Sequence, residues 1–169
     1  MVDIDKLVSE AVKAIKEQVD TKSVPMMPKS KISYISLDNA KLIAQRVELK
    51  AREMGVNAVV AIADDGGNLK LCECMDNSYL ASRDIAINKA YTSVALKMST
   101  KKLSGLSQPG APLYGIQHTN GGKIVIFGGG DTLEASGKIL GGIGVSGGSE
   151  EQDTALSAYG KRVFDELFN

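Results

Sequence analysis

Apolar residues recur every three or four positions near the start of the chain. Ile4, Leu7, Val8, Ala11, Val12, Ile15 and Val19 fall on one stripe, with Asp5, Lys6, Glu10, Lys13, Lys16 and Glu17 opposite. That spacing predicts an amphipathic helix over residues 3–19. Asp3 stands where its carboxylate can accept from the freed amides of the first turn. Pro25 and Pro28 follow among Lys, Ser and Thr, a composition that neither continues a helix nor builds a core. The chain thus divides into a helix at 1–20, a linker at 21–31 and a globular domain at 32–169.

The pattern within the domain alternates between two periods. Ile32 to Ser36 reads as a short strand. A helix opens at Leu37-Asp38, with Ile43, Ala44, Val47, Ala51 and Met54 inward, and Gly55 stands just past its end. Val56 to Ala63 is a continuous apolar run suited to a central strand, and Leu69 to Met75 returns beside it. Asp64-Asp65-Gly66-Gly67 between them is a hairpin turn, because Asp-Gly supplies the positive φ of tight turns. A third helix is predicted over 78–99, with Leu80, Ile87, Tyr91, Val94 and Met98 inward, and then a loop over 101–112. Lys123 to Phe127 and Ile139 to Val145 read as two more strands, joined by a connection over 131–137. Ser149 and Gln152 form a capping box before a last helix whose stripe is Leu156, Tyr159, Val163, Phe164 and Leu167. The expectation is an α+β fold: a five-stranded antiparallel sheet flanked by helices, preceded by a separate amphipathic N-terminal helix.

Glycine changes this picture most. Twelve of the eighteen glycines lie between Gly115 and Gly148. Such density means backbone at positive φ, or backbone approached closely by something else. The block is therefore the expected place for a ligand or a subunit contact.

Composition narrows the function. Net charge is zero, with 20 acidic and 20 basic residues, which argues against a nucleic-acid partner. No apolar run reaches the roughly 20 residues of a membrane span. Cys72 and Cys74 are the only cysteines, and their i, i+2 spacing on a strand would strain a mutual disulfide. Two unpaired thiols fit a cytoplasmic setting. They are also too few for a structural zinc, which takes about four ligands. His118 is the single histidine. It can serve as an axial ligand to haem iron or make an ordinary surface hydrogen bond. Asn120-Gly121-Gly122, next to it, reads as a hairpin turn and completes the candidate cofactor site. Gly147-Gly148-Ser149 leads into a helix N-terminus, but Glu150, Glu151 and Asp153 already occupy that positive end. No Gly-x-Ser-x-Gly elbow frames a nucleophile, and no acid–base pair stands out.

Several blocks together carry a resemblance: AVVAIADDGGNLKLCECMDN, ASRDIAINKAYTSVALKMST, APLYGIQHTNGGKIVIFGGG and GGIGVSGGSEEQD. In this order they resemble the GlcG/HbpS family, which includes the C-terminal domain of PduO-type proteins, over about residues 35–168. The resemblance implies a profilin-like sheet, assembly into dimers or larger homo-oligomers, and a haem ligand, with a corrinoid as a second tetrapyrrole. It also implies that Lys89, on the third helix, meets a ligand carboxylate or propionate, while a salt-bridged helical face is the ordinary alternative. Histidine-ligated relatives differ in one respect, because the helix from Asp38 to Met54 carries no histidine here. The N-terminal helix and linker resemble the encapsulation peptides of bacterial microcompartment cargo. Ile4, Leu7, Val8, Ala11, Val12 and Ile15 would then face a shell or cargo protein, since an isolated helix gains stability on a partner. Three functions follow: a tetrapyrrole-binding accessory protein of a microcompartment, an enzyme acting on a small metabolite of the same pathway, and a ligand-free assembly factor.

Overall fold

The computed structural model describes residues 33–168. The predicted targeting helix, with Ile4, Leu7, Val8, Ala11, Val12 and Ile15, lies outside the described residues, as do the linker and Ile32. Among the described residues the order is α1 (Leu37–Glu53), β1 (Val59–Asp64), β2 (Leu69–Cys74), α2 (Ser82–Leu96), α3 (Thr100–Leu106), two 3-10 turns (Ile116–His118 and Asn120–Gly122), β3 (Gly130–Ala135), β4 (Lys138–Ser146) and α4 (Glu150–Phe168). The strands form one antiparallel sheet in the order β2-β1-β4-β3.

The sheet therefore has four strands, not five. Ser33 to Ser36 is not a strand. Ser36 instead caps α1, its hydroxyl accepting from the Asn39 amide at 3.1 Å. The β-branched run from Lys123 to Phe127 is buried at Ile124 and Val125 but, among the described residues, pairs with no strand. Thr92 of α2 takes its backbone groups instead. The Thr92 hydroxyl donates to the Lys123 carbonyl at 3.2 Å and accepts from the Val125 amide at 3.0 Å. The missing strand is β3, which lies where the sequence suggests a connection. Asn120-Gly121-Gly122 is a 3-10 turn and joins no strands.

The two long outer helices follow their apolar stripes. α1 buries Ile43, Ala44, Val47 and Ala51, and α4 buries Leu156, Val163 and Phe164. Both pack on one face of the sheet, against Val60, Ile62, Leu133, Ile143 and Val145. Gly55, at φ +68°, closes α1, and the Val56 amide reaches back to the Ala51 carbonyl at 2.9 Å.

The other face belongs to α2, and here the pattern departs from expectation. Leu80, expected inward, is 96% exposed. Of the residues expected inward only Val94 is buried. The helix buries mainly small and polar residues: Ser82, Ala86, Ala90, Thr92, Ser93 and Lys89. The stretch 101–112, read as a loop, begins inside α3. The small face of α2 matches glycines of β4. A Cβ on Gly142 would meet the Ala90 carbonyl oxygen at 2.6 Å, and one on Gly144 would run into the Ala86 carbonyl.

On the opposite face Glu48 of α1 meets Glu73 of β2. Burial, and then the Glu73 carboxylate, hold the Glu48 carboxyl above its ordinary value, with Arg52 offsetting part of this. A folded-state pKa raised this way is a penalty, full above the raised value and gone once pH falls to about 4.5.

Two predictions follow from this packing. Gly144→Ala should lower stability by about 1–3 kcal/mol or more, by overpacking the α2 contact. Gly105→Ala, in exposed α3 with nothing near the new methyl, should instead raise it by roughly 0.5–1 kcal/mol. Urea unfolding of both variants measures the contrast, and equal effects would refute the packing account. Glu73→Gln should raise the melting temperature at pH 7–8, with the gain shrinking as pH falls towards 4.5. A gain independent of pH would show that charge is not the cause.

Candidate functional site

The segment from Leu113 to Lys123 is a succession of tight turns laid against α2. Its amides bond locally: His118 to the Gly115 carbonyl at 3.0 Å, and Gly122 to the Thr119 carbonyl at 2.9 Å. Asn120, Gly121 and Gly122 adopt φ of +52°, +65° and +78° in succession. Side chains other than Asn and Asp resist that left-handed run, which glycine enters freely. The turn carries His118 exposed at the surface, with its Nε2 3.4 Å from the Gln117 amide nitrogen. Among the described residues, the Gln117 carbonyl oxygen, Oε1, is buried and has no hydrogen-bond partner. A buried acceptor of this kind is rare and costs roughly 1–3 kcal/mol until something donates to it.

Tyr91 of α2 anchors the turn. Its hydroxyl accepts from the Asn120 side chain at 3.4 Å, and the Lys123 ammonium sits 5.6 Å from its ring centroid. Gly67 of the β1–β2 turn packs on the same ring, where a Cβ would come within 3.1 Å. His118, Asn120, Gly121 and Gly122 are thus brought together around an aromatic face and an ammonium. Tyr91, Gln117 and Lys123 were not among the predicted site residues. The available signals were modest: Tyr91 was counted as core, and Gln117 simply precedes the single histidine.

Lys89 sits apart from this group. It is fully buried, and its Nζ donates to Asp153 Oδ2 at 2.7 Å and to the Val145 carbonyl at 2.8 Å. The ammonium also lies 4.8 Å from the Phe127 ring centroid. Asp153 in turn accepts from the Gly148 amide at 2.9 Å. Burial pushes the Lys89 pKa down, while Asp153 pulls it back up. The ammonium therefore has protein partners and lies on the side of α2 towards β4 and α4.

The N-terminus of α4 is capped from within. The Ser149 hydroxyl accepts from the Gln152 amide at 3.3 Å, and the Gln152 side chain accepts from the Ser149 amide at 2.9 Å. This is the capping box read from the sequence. Glu150 accepts from the Gly128 amide and from Lys101, each at 3.0 Å, and these bonds hold its carboxyl below the usual range. A cleft of about 480 Å³ lies beside this end, between Asn57, Asn77, Tyr79 and Gly148. On β2, Cys72 and Cys74 are both free thiols. Among the described residues, no helix is long and apolar enough to cross a membrane.

Comparison with known proteins places this geometry. A family model described as haem degrading protein, HbpS-like, matches residues 35–161. The chain belongs to the HbpS-like family. An uncharacterised 15.0 kDa protein from the dhaT-dhaS intergenic region of Citrobacter freundii is 45% identical over 142 residues, covering 84% of this chain and 100% of that protein. The corrinoid adenosyltransferase PduO of Citrobacter freundii is 38% identical over 134 residues, 76% of this chain. This HbpS-like chain spans only 40% of PduO, so the likeness concerns one part of that protein. Among solved structures, the crystal structure of a PduOC:haem complex superposes with a TM-score of 0.74 at 36% identity, covering 77% of this chain and 94% of that one.

The buried ion pair yields the prediction here. Lys89→Met alone should cost about 3–5 kcal/mol, because it leaves the Asp153 carboxylate buried without its cation. Lys89→Met with Asp153→Leu should recover most of that loss. Unfolding curves for the two variants decide it, and a double variant no better than the single would show that the pair itself is not what the core requires.

Proposed function

We propose that this HbpS-like chain binds haem at the Leu113–Lys123 turn, with His118 as the ligand to iron. The observation that carries the reading is the likeness, across most of the chain, to a relative solved with haem. The residues of the turn suit such a ligand. Haem supplies an iron centre that takes an imidazole nitrogen, and His118 offers one at the surface. The Tyr91 ring provides an aromatic surface beside it, and the Lys123 ammonium is placed for a propionate carboxylate. The orphaned Gln117 oxygen is a waiting acceptor next to the imidazole. Because α1 carries no histidine, a second imidazole would have to come from another subunit. A homo-oligomer pairing two copies of His118 meets that need by symmetry.

Haem binding without turnover is the preferred form of the proposal, since the turn presents no acid–base pair. The N-terminal stripe of Ile4, Leu7, Val8, Ala11, Val12 and Ile15 supports delivery of this accessory protein to a bacterial microcompartment.

Haemin titration of the full chain, followed by visible absorption, tests the proposal, with His118→Ala in parallel. A sharp Soret shift of defined stoichiometry, lost in the variant, is expected. A shift kept in the variant would move the iron ligand to another side chain and overturn the role of His118. No shift in either protein would overturn haem binding altogether.

A further inference from the structure

We propose that Cys72 and Cys74 form a two-coordinate site for a soft monovalent d10 ion, Cu(I) being the natural occupant. The site is separate from the haem reading and does not depend on it.

The placement of the two thiols is the first argument. Cys72 stands opposite Ala61 and Cys74 opposite Val59 in the β1–β2 register. Both therefore project from the same face of the sheet, the one that α2 covers. β2 is the edge strand, and α2 lies mainly over β4 and β1. The face of β2 is consequently left partly open, with Cys72 half-buried and Cys74 exposed.

Distance decides what this pair can hold. Same-face neighbours on a strand have Cα atoms about 6.6 Å apart, and their Cβ atoms run roughly parallel. A disulfide needs Cβ atoms at about 3.5–4.5 Å, so direct oxidation would bend the strand. A bridging ion lengthens the link. Two metal–sulfur bonds of about 2.3 Å in line separate the sulfurs by roughly 4.6 Å, which the extended backbone spans without distortion.

Coordination number then selects the ion. Among the described residues no group of three or more His, Cys, Asp or Glu side chains could hold a metal. Zinc, which takes four ligands, is thereby disfavoured. Cu(I) prefers soft thiolates and accepts linear geometry. Binding exchanges protons for metal: two thiols and one Cu(I) give a bis-thiolate of net charge −1 and two released protons. The Arg83 guanidinium beside Cys72 favours the thiolate, while the Asp84 carboxylate, paired with Arg83 at 3.5 Å, opposes it. Burial, and then Cys74, push the Cys72 thiol up to about 11, which slows its oxidation in the empty site.

The test uses the full chain, reduced and free of oxygen, challenged with Cu(I) held in its coloured bicinchoninate complex. The protein should withdraw one Cu(I) per chain and lose both thiols titratable by a disulfide reagent. Cys72→Ser and Cys74→Ser should each weaken uptake by at least about a hundredfold, while His118→Ala takes up the ion as the unaltered chain does. Because binding releases protons, the apparent affinity should rise as pH rises. Cys74 is exposed, so its serine variant keeps the fold, which circular dichroism checks. Uptake by either single serine variant at undiminished affinity, uptake of one ion per two chains, or no uptake at all would overturn the site.

Discussion

The close approach of α2 to β4 is the contact on which the rest of the domain depends. Gly142 and Gly144 fall on alternate positions of β4 and so share one face. With no side chains there, the helix backbone rests on the sheet itself, at the carbonyls of Ala86 and Ala90. Gly130 of β3, opposite Gly144, extends the same shallow floor beneath Lys89. An ordinary layer of branched side chains would lift the helix away. The cost is that little apolar surface remains to bury, and hydrogen bonds replace it. Ser93 donates to the Ala90 and Asp131 carbonyls, and Ser146 meets Ser82 across the interface.

That depth explains the fully buried lysine. A helix seated so low brings Lys89 level with the end of β4, within reach of the Val145 carbonyl and of Asp153 on α4. One side chain thereby ties α2, β4 and α4 together. The attraction between the charges is offset largely by their lost hydration, so the pair contributes more to the choice of arrangement than to its stability. The adjacent glycines serve the same junction. A Cβ on Gly129 would come within 2.7 Å of the Lys89 ammonium, and the residue also holds φ +109°, which side chains rarely adopt.

These facts mark where sequence reasoning succeeds. α1 and α4 were legible because each turns an apolar stripe of helical period towards the core. The face that α2 buries is small and polar, so no stripe announced it, and Leu80 was wrongly assigned to it. The glycine block was legible as close approach, and at Gly142 and Gly144 the approaching group is the backbone of the protein's own helix α2. The run from Lys123 to Phe127 has strand composition because it is buried, yet Thr92 satisfies its backbone. β3 was hidden by Asp131, Thr132 and Glu134, whose polar groups find partners on α4 or on β3 itself: Asp131 with Ser157, the Thr132 carbonyl with Lys161, and Glu134 with the Thr132 hydroxyl. At the candidate site, the grouping of His118 with Asn120, Gly121 and Gly122 is local and was readable. Its attachment to Tyr91 is not local, and neither is the pairing of Lys89 with Asp153, 64 positions away.

The two centres meet in one helix. Lys89, Tyr91 and Thr92 lie within four consecutive residues of α2. Lys89 fixes the helix to β4 and α4, whereas Tyr91 and Thr92 carry the turn that presents His118. The turn's internal bonds fix its shape, but its position relative to the sheet comes through Tyr91, Thr92, the contact of Gly67 with the tyrosine ring, and the Leu113 amide, which donates to the Leu106 carbonyl at the end of α3. The height of α2 above β4 therefore sets where the imidazole stands. Glycine on β4 and histidine on the turn answer a single geometric requirement, even though no atom of Gly144 comes near His118. A methyl group added on β4 would lift the helix, carry Tyr91 with it, and alter the imidazole's place without touching the turn.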